Sequence, residues 1–76
     1  MLALPACVVV VAPRLGRARC FVEPGAQVDR GDLVAVVDSN GASAVVHAPE
    51  RGRVGGVLAS HGRAVAQGEA LLWLAR

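Results

Sequence analysis

Apolar residues fall in short runs, broken every few positions by turn formers, and no window longer than one strand keeps a helical period. Cys7 to Val11, Leu33 to Val37 and Leu71 to Leu74 are continuous apolar stretches of strand length, bounded by Pro, Gly, Asp and Asn. Val8 to Val11 and Leu33 to Val37 are apolar on both sides, which predicts strands covered on both faces. Arg17 to Glu23 and Arg53 to Ala59 read as further strands, and Val28 and Val65 each mark a very short one. Between Val37 and Ala44 the chain reads Asp38-Ser39-Asn40-Gly41-Ala42-Ser43. Asn-Gly is the pair that best supplies φ > 0 at both central positions of a type I′ turn, so this stretch predicts the tip of a β-hairpin.

These elements repeat. Ala12-Pro13-x-x-Gly16 recurs as Ala48-Pro49-x-x-Gly52, and Gly25-x-x-Val28-x-x-Gly31-Asp32 recurs as Gly62-x-x-Val65-x-x-Gly68-Glu69. The offsets are 36 and 37, and each copy runs on into an apolar strand. The duplication predicts two similar β-units related by a pseudo-two-fold axis. Each unit alone exposes an apolar face, so the two must pack together. The expected fold is all-β, a flattened barrel of about eight short strands. The expected organisation is a single domain over 1–76, with a first half 8–38, a hairpin 38–43 and a second half 44–75. Val36 and Trp73 occupy equivalent positions in the two halves and are expected in the core.

Composition narrows the function classes. A chain of 76 residues is one small domain. At 54% apolar residues, with Phe21 and Trp73 its aromatics, it is too hydrophobic for a disordered segment. The net charge is +2. Arg14, Arg17 and Arg19 cluster, as do Arg51 and Arg53, and a solvated face accounts for them. Nucleic-acid binding would need a stronger basic stripe or aromatic stacking platforms, so no nucleic-acid partner is expected. Met1 to Val11 lacks a basic leader and is too short to span a bilayer, so no membrane association and a cytoplasmic location are expected. Cys7 and Cys20 are compatible with reduced thiols. All eight basic residues are arginine, and the sequence contains no lysine.

With the repeat in view, the chain resembles the biotinyl/lipoyl attachment domains, the carriers of biotin-dependent carboxylases and 2-oxo acid dehydrogenase complexes. The segment FVEPGAQVDRGDLVAVVD is similar to the first-half motif of that family, and HAPERGRVGGVLASHGRAVAQGEALLWL to the second. The resemblance covers about residues 8–75 and implies a barrel-sandwich hybrid with the same pseudo-symmetry. It also implies a cofactor lysine at the tip of the hairpin joining the halves, in A-M-K-M for biotinyl and E-T-D-K-A for lipoyl domains. Asp38-Ser39-Asn40-Gly41-Ala42 resembles the lipoyl version, with Gly41 where the lysine stands. The segment from Ala12 to Gly25 is closer in length to biotinyl domains, so the two subfamilies stay unseparated. Biotin and lipoate are carried as amides of a lysine amine. Neither is therefore expected on this chain, and the Met1 α-amine is far along the chain from the hairpin.

Other candidate chemistry is weaker. Asp38-Ser39 is similar to the Asp-Ser pair of phosphopantetheine carriers, but that serine starts a helix. Cys7, Cys20, His47 and His61 lack close metal-ligand spacing, so no metal site is expected. Ser39, Ser43 and Ser60 have no evident histidine–acid partner, so no catalytic residues are assigned and an enzyme is not expected. Two readings remain. The first is a non-catalytic binding or assembly module without a cofactor. The chain is expected to be complete and to act with another protein subunit or as a homodimer. Its contact surface is either Asp38 to Ser43 (Asp38, Ser39, Asn40, Gly41, Ala42, Ser43) or the arginine cluster. The alternative is a biotin- or lipoyl-type carrier serving a carboxylase or a 2-oxo acid dehydrogenase-like complex.

Overall fold

Alternate residues along most of the strands turn toward one shared interior, and that alternation builds the molecule from two sheets. A computed structural model describes residues 7–76. Residues 1–6, which begin the apolar stretch Met1 to Val11, and with them the Met1 α-amine, lie outside the described residues. The strands are β1 (Cys7–Val11), β2 (Gly16–Cys20), β3 (Gln27–Val28), β4 (Leu33–Ser39), β5 (Ala42–His47), β6 (Gly52–Val57), β7 (Arg63–Val65) and β8 (Ala70–Ala75). Among the described residues no helix is long and apolar enough to cross a membrane.

One sheet has the order β1-β8-β6-β3, and the other β5-β4-β2-β7, with every pairing antiparallel. Adding four to each strand number of the first sheet, and continuing from β8 to β1, gives the second. This is the pseudo-two-fold symmetry that the repeated motifs predict. Each sheet takes two strands from each half, so neither half owns a sheet.

The repeated motifs are the places where the halves grip one another. Ala12 N–H donates to the Glu69 carbonyl and Gly68 N–H to the Ala12 carbonyl, both at 2.8 Å. Their symmetry mates are Ala48 N–H to the Asp32 carbonyl and Gly31 N–H to the Ala48 carbonyl, also at 2.8 Å. The acid after each turn glycine has its own task. Asp32 Oδ2 accepts from Asp29 N–H at 2.8 Å, and Glu69 Oε1 accepts from Ala66 N–H at 3.0 Å, closing equivalent turns. The glycine of each Ala-Pro-x-x-Gly corner lets two strands approach. A Cβ on Gly52 would lie 2.7 Å from the Ala75 carbonyl oxygen, and one on Gly16 would collide with the Asp38 carbonyl.

Leu71, Leu72, Leu74, Val34, Val37 and Val54 are the largest fully buried side chains, and no polar side chain is buried among the described residues. Three expectations change. First, β1 is covered on its inner face alone: Val10 is buried, but Val9 and Val11 are 52% and 46% exposed. It is an edge strand with β8 as its neighbour, and among the described residues no third layer lies over it. The β4 run from Val34 to Val37 is buried throughout, as expected. Second, Trp73 is not in the core. It alternates with Leu72 and Leu74 and so turns to the outer face, half-buried, over β6. There Gly55 and Gly56 clear a bed for the indole: a Cβ on Gly55 would collide with the ring, and one on Gly56 would come within 2.5 Å of Nε1. Third, β2 and β6 stop at Cys20 and Val57, before Glu23 and Ala59. The backbone stays tied beyond them, through Phe21 N–H to the Val34 carbonyl at 2.9 Å and Leu58 N–H to the Leu71 carbonyl at 2.8 Å.

Candidate functional site at the hairpin between the halves

The hairpin of β4 and β5 joins the two halves. Ser39 pairs with Ala42 and Asp38 with Ser43, which leaves Asn40 and Gly41 as a two-residue loop. Asn40 has φ 50° and Gly41 φ 78°, both positive, as a type I′ turn requires. Asn40 is the sole non-glycine residue with positive φ among those described. Asparagine tolerates this region better than most residues because its short polar side chain bonds locally. Nothing lies within 4 Å of where a Gly41 Cβ would be, so a side chain there would project into solvent.

Below the tip, the outer face carries a polar brace. Arg19 Nε on β2 donates to Asp38 Oδ2 at 2.8 Å, and Ser43 Oγ donates to Asp38 Oδ1 at 2.5 Å. The Ser43 hydroxyl and then the Arg19 guanidinium hold the Asp38 carboxyl below its ordinary value. The Arg19 guanidinium also lies 5.9 Å from the centroid of the half-exposed Phe21 ring. Strand register sets this arrangement: Arg19 faces Val36, one pair diagonal to Asp38, and Val36 is almost covered.

The brace is structural chemistry. Ser43 spends its proton on a carboxylate. His47, on the same strand, puts Nδ1 3.0 Å from the Gly31 carbonyl. Among the described residues no three His, Cys, Asp or Glu side chains gather as a metal set. Cys20 Sγ lies 3.4 Å from the Ala59 carbonyl, and burial pushes its thiol pKa up, away from the reactive thiolate. The arginines of the sequence clusters divide between the sheets. Arg17 and Arg19 lie on β2, where Arg17 Nη1 donates to the Gly62 carbonyl at 3.0 Å. Arg53 lies on β6, with Arg51 just before it.

The family model for biotin/lipoyl domains, described as biotin-requiring enzyme, matches residues 2–74. The chain belongs to the biotin/lipoyl family. No curated protein matches it. Among solved structures, a single-chain, multi-domain long-chain acyl-CoA carboxylase superposes with a TM-score of 0.88 at 25% identity, over 100% of this chain and 8% of that one. The urea carboxylase of Kluyveromyces lactis gives 0.83 at 21% identity, over 97% of this chain and 7% of that one. An aspartoacylase family protein from Mesorhizobium loti gives 0.74 at 22% identity, over 90% of this chain and 23% of that one. The last two share the fold with this biotin/lipoyl domain. The chain spans less than a quarter of each of these proteins.

The biotin/lipoyl hairpin of this chain does not fit either cofactor as an amide. The sequence has no lysine, and the loop consists of a carboxamide side chain and a glycine. The turn is legible from Asn-Gly alone. The role of Arg19 and Phe21 is not, because it depends on a cross-strand register that no local motif encodes.

Proposed function

We propose that this biotin/lipoyl domain is a non-catalytic binding or assembly module that carries no cofactor at its hairpin. What supports this reading is the tip itself, a two-residue turn with positive φ at both positions, with Gly41 where the resemblance implies the attachment lysine, in a chain without lysine. A lysine at Gly41 would sit at φ > 0, strained by about 1 kcal/mol or more. Asn-Gly is what folding alone selects there. The hairpin from Asp38 to Ser43, braced by Arg19, is exposed from Asn40 to Ser43, which suits docking to another protein subunit or to a second copy. The similarity to a domain of an acyl-CoA carboxylase favours a place beside such multi-domain enzymes, and it also supports the second reading, a carrier.

Intact-mass measurement on the protein from its native host separates the two. The expected mass is that of the unmodified polypeptide. An added mass equal to biotin, lipoate or phosphopantetheine would overturn the module reading, and fragmentation would locate the residue used.

A further inference from the structure

The symmetry between the halves is broken at one place in a way that leaves charge exposed. On β2, Arg17 stands directly opposite Asp38 on β4. Its symmetry mate on β6, Arg53, stands opposite Ala75 on β8. Where one half has a carboxylate, the other has a methyl group. Arg53 is exposed and makes no ion pair or side-chain hydrogen bond with the other described residues.

That position lines a shallow, open cleft of about 580 Å³ at the end of the β3-β6-β8 surface. Its lining includes the small residues Gly52 and Ala75 and the arginines Arg51, Arg53 and Arg76. Glu50 is the carboxylate among the lining residues and is bonded to Arg76, Nε to Oε1 at 2.9 Å. Arg51 is loosely held, with Nε 4.0 Å from Asp29 Oδ1 and both side chains more than three-quarters exposed. Arg76 is paired with Glu50 and Arg51 loosely with Asp29, so Arg53 carries the charge that the described residues leave unmatched. Such a concave basic patch favours an anionic occupant.

We propose that this cleft docks an acidic segment of a partner protein. The inference rests on the module reading above and names the chemistry of its partner. The open shape admits an extended chain, and Gln27 on the edge strand β3 offers an amide to its backbone. Among the described residues the cleft has no aromatic platform for nucleic-acid bases. Carboxylates spaced along a peptide can meet Arg51 and Arg53 at once, as fork-shaped guanidinium groups favour.

The test is a titration of the isotope-labelled protein with an oligoglutamate peptide, followed by amide chemical shifts. Saturable shifts are expected at Gln27, Gly52, Arg53 and Ala75, and they should weaken as salt rises. Arg53→Glu should weaken binding about tenfold or more by placing like charge against the peptide. Arg51→Glu is the second variant, and Arg14→Glu, outside the cleft with the same change in net charge, should leave affinity nearly unchanged. Absence of saturable shifts, or equal loss in all three variants, would overturn the proposal. Inorganic phosphate saturating the same amides as tightly as the peptide would overturn the assignment to an acidic segment. The intact mass stands apart from all of this. An unmodified protein that ignores oligoglutamate refutes the cleft and leaves the module reading in place.

Discussion

At Gly41 the backbone sits at φ 78°, where an L side chain is strained even though the surrounding space is empty. Replacement by Ala is therefore expected to lower stability by about 1 kcal/mol through the backbone alone. Urea denaturation would read this as a lower midpoint with an unchanged slope. An unchanged midpoint would mean that the turn is not held in this conformation. Asp38 makes a second prediction. Its carboxyl is held below the usual carboxylate range in the folded chain because Ser43 and Arg19 bond the ionised form. A group with a lowered folded pKa contributes stability above its unfolded value and loses it as pH falls through the folded one. Stability should accordingly fall on acidification below about pH 4, and Asp38→Asn should flatten that part of the profile. A variant with the same acid dependence as the parent would show that other carboxylates dominate.

Among the elements, β8 shows what the chain reveals and what it hides. Its sequence Ala-Leu-Leu-Trp-Leu-Ala is apolar throughout, so a strand is legible but its inner face is not. Trp73 turns outward because Leu72 and Leu74 fill the interior. The one signal for this was Gly55-Gly56 on the neighbouring strand, a flat bed for a large ring. Truncating a fully buried Trp costs about 3–5 kcal/mol. Trp73→Ala, with its ring half-buried on the outer face, is expected to cost about 2 kcal/mol, in keeping with a partial loss of apolar burial. Thermal or chemical denaturation would decide, and a loss above about 4 kcal/mol would place the indole in the core. The Asn-Gly turn and the Gly-x-x-Val-x-x-Gly-acid loops were legible because each is specified by its own residues. The Arg19–Asp38 pair and the exposed faces of Val9 and Val11 were not, since both depend on which strands become neighbours.

At the scale of the molecule, the repeat specified the symmetry but not how the halves would share their sheets. Because β1 and β3 pair with β6 and β8, and β5 and β7 with β2 and β4, neither half has a complete sheet or core. Fragments 1–40 and 41–76 should each give the circular dichroism of an unfolded chain, and mixing them should restore the β spectrum. A folded signal from one fragment alone would show that a half is self-sufficient. The reciprocal bonds of Ala12 with Gly68 and Glu69, and of Ala48 with Gly31 and Asp32, are what such a mixture has to rebuild.

The symmetry mate of the hairpin tip is the pairing of Cys7 with Ala75, where β1 and β8 lie side by side. The sheets therefore do not record at which of these two places the polypeptide is open. A chain closed from Ala75 to Cys7 by a second Asn-Gly and opened between Asn40 and Gly41 keeps every strand beside the same neighbours. The fold behaves as a ring of two equal links. Cut at either link, such a ring leaves the same two sheets with the same neighbours.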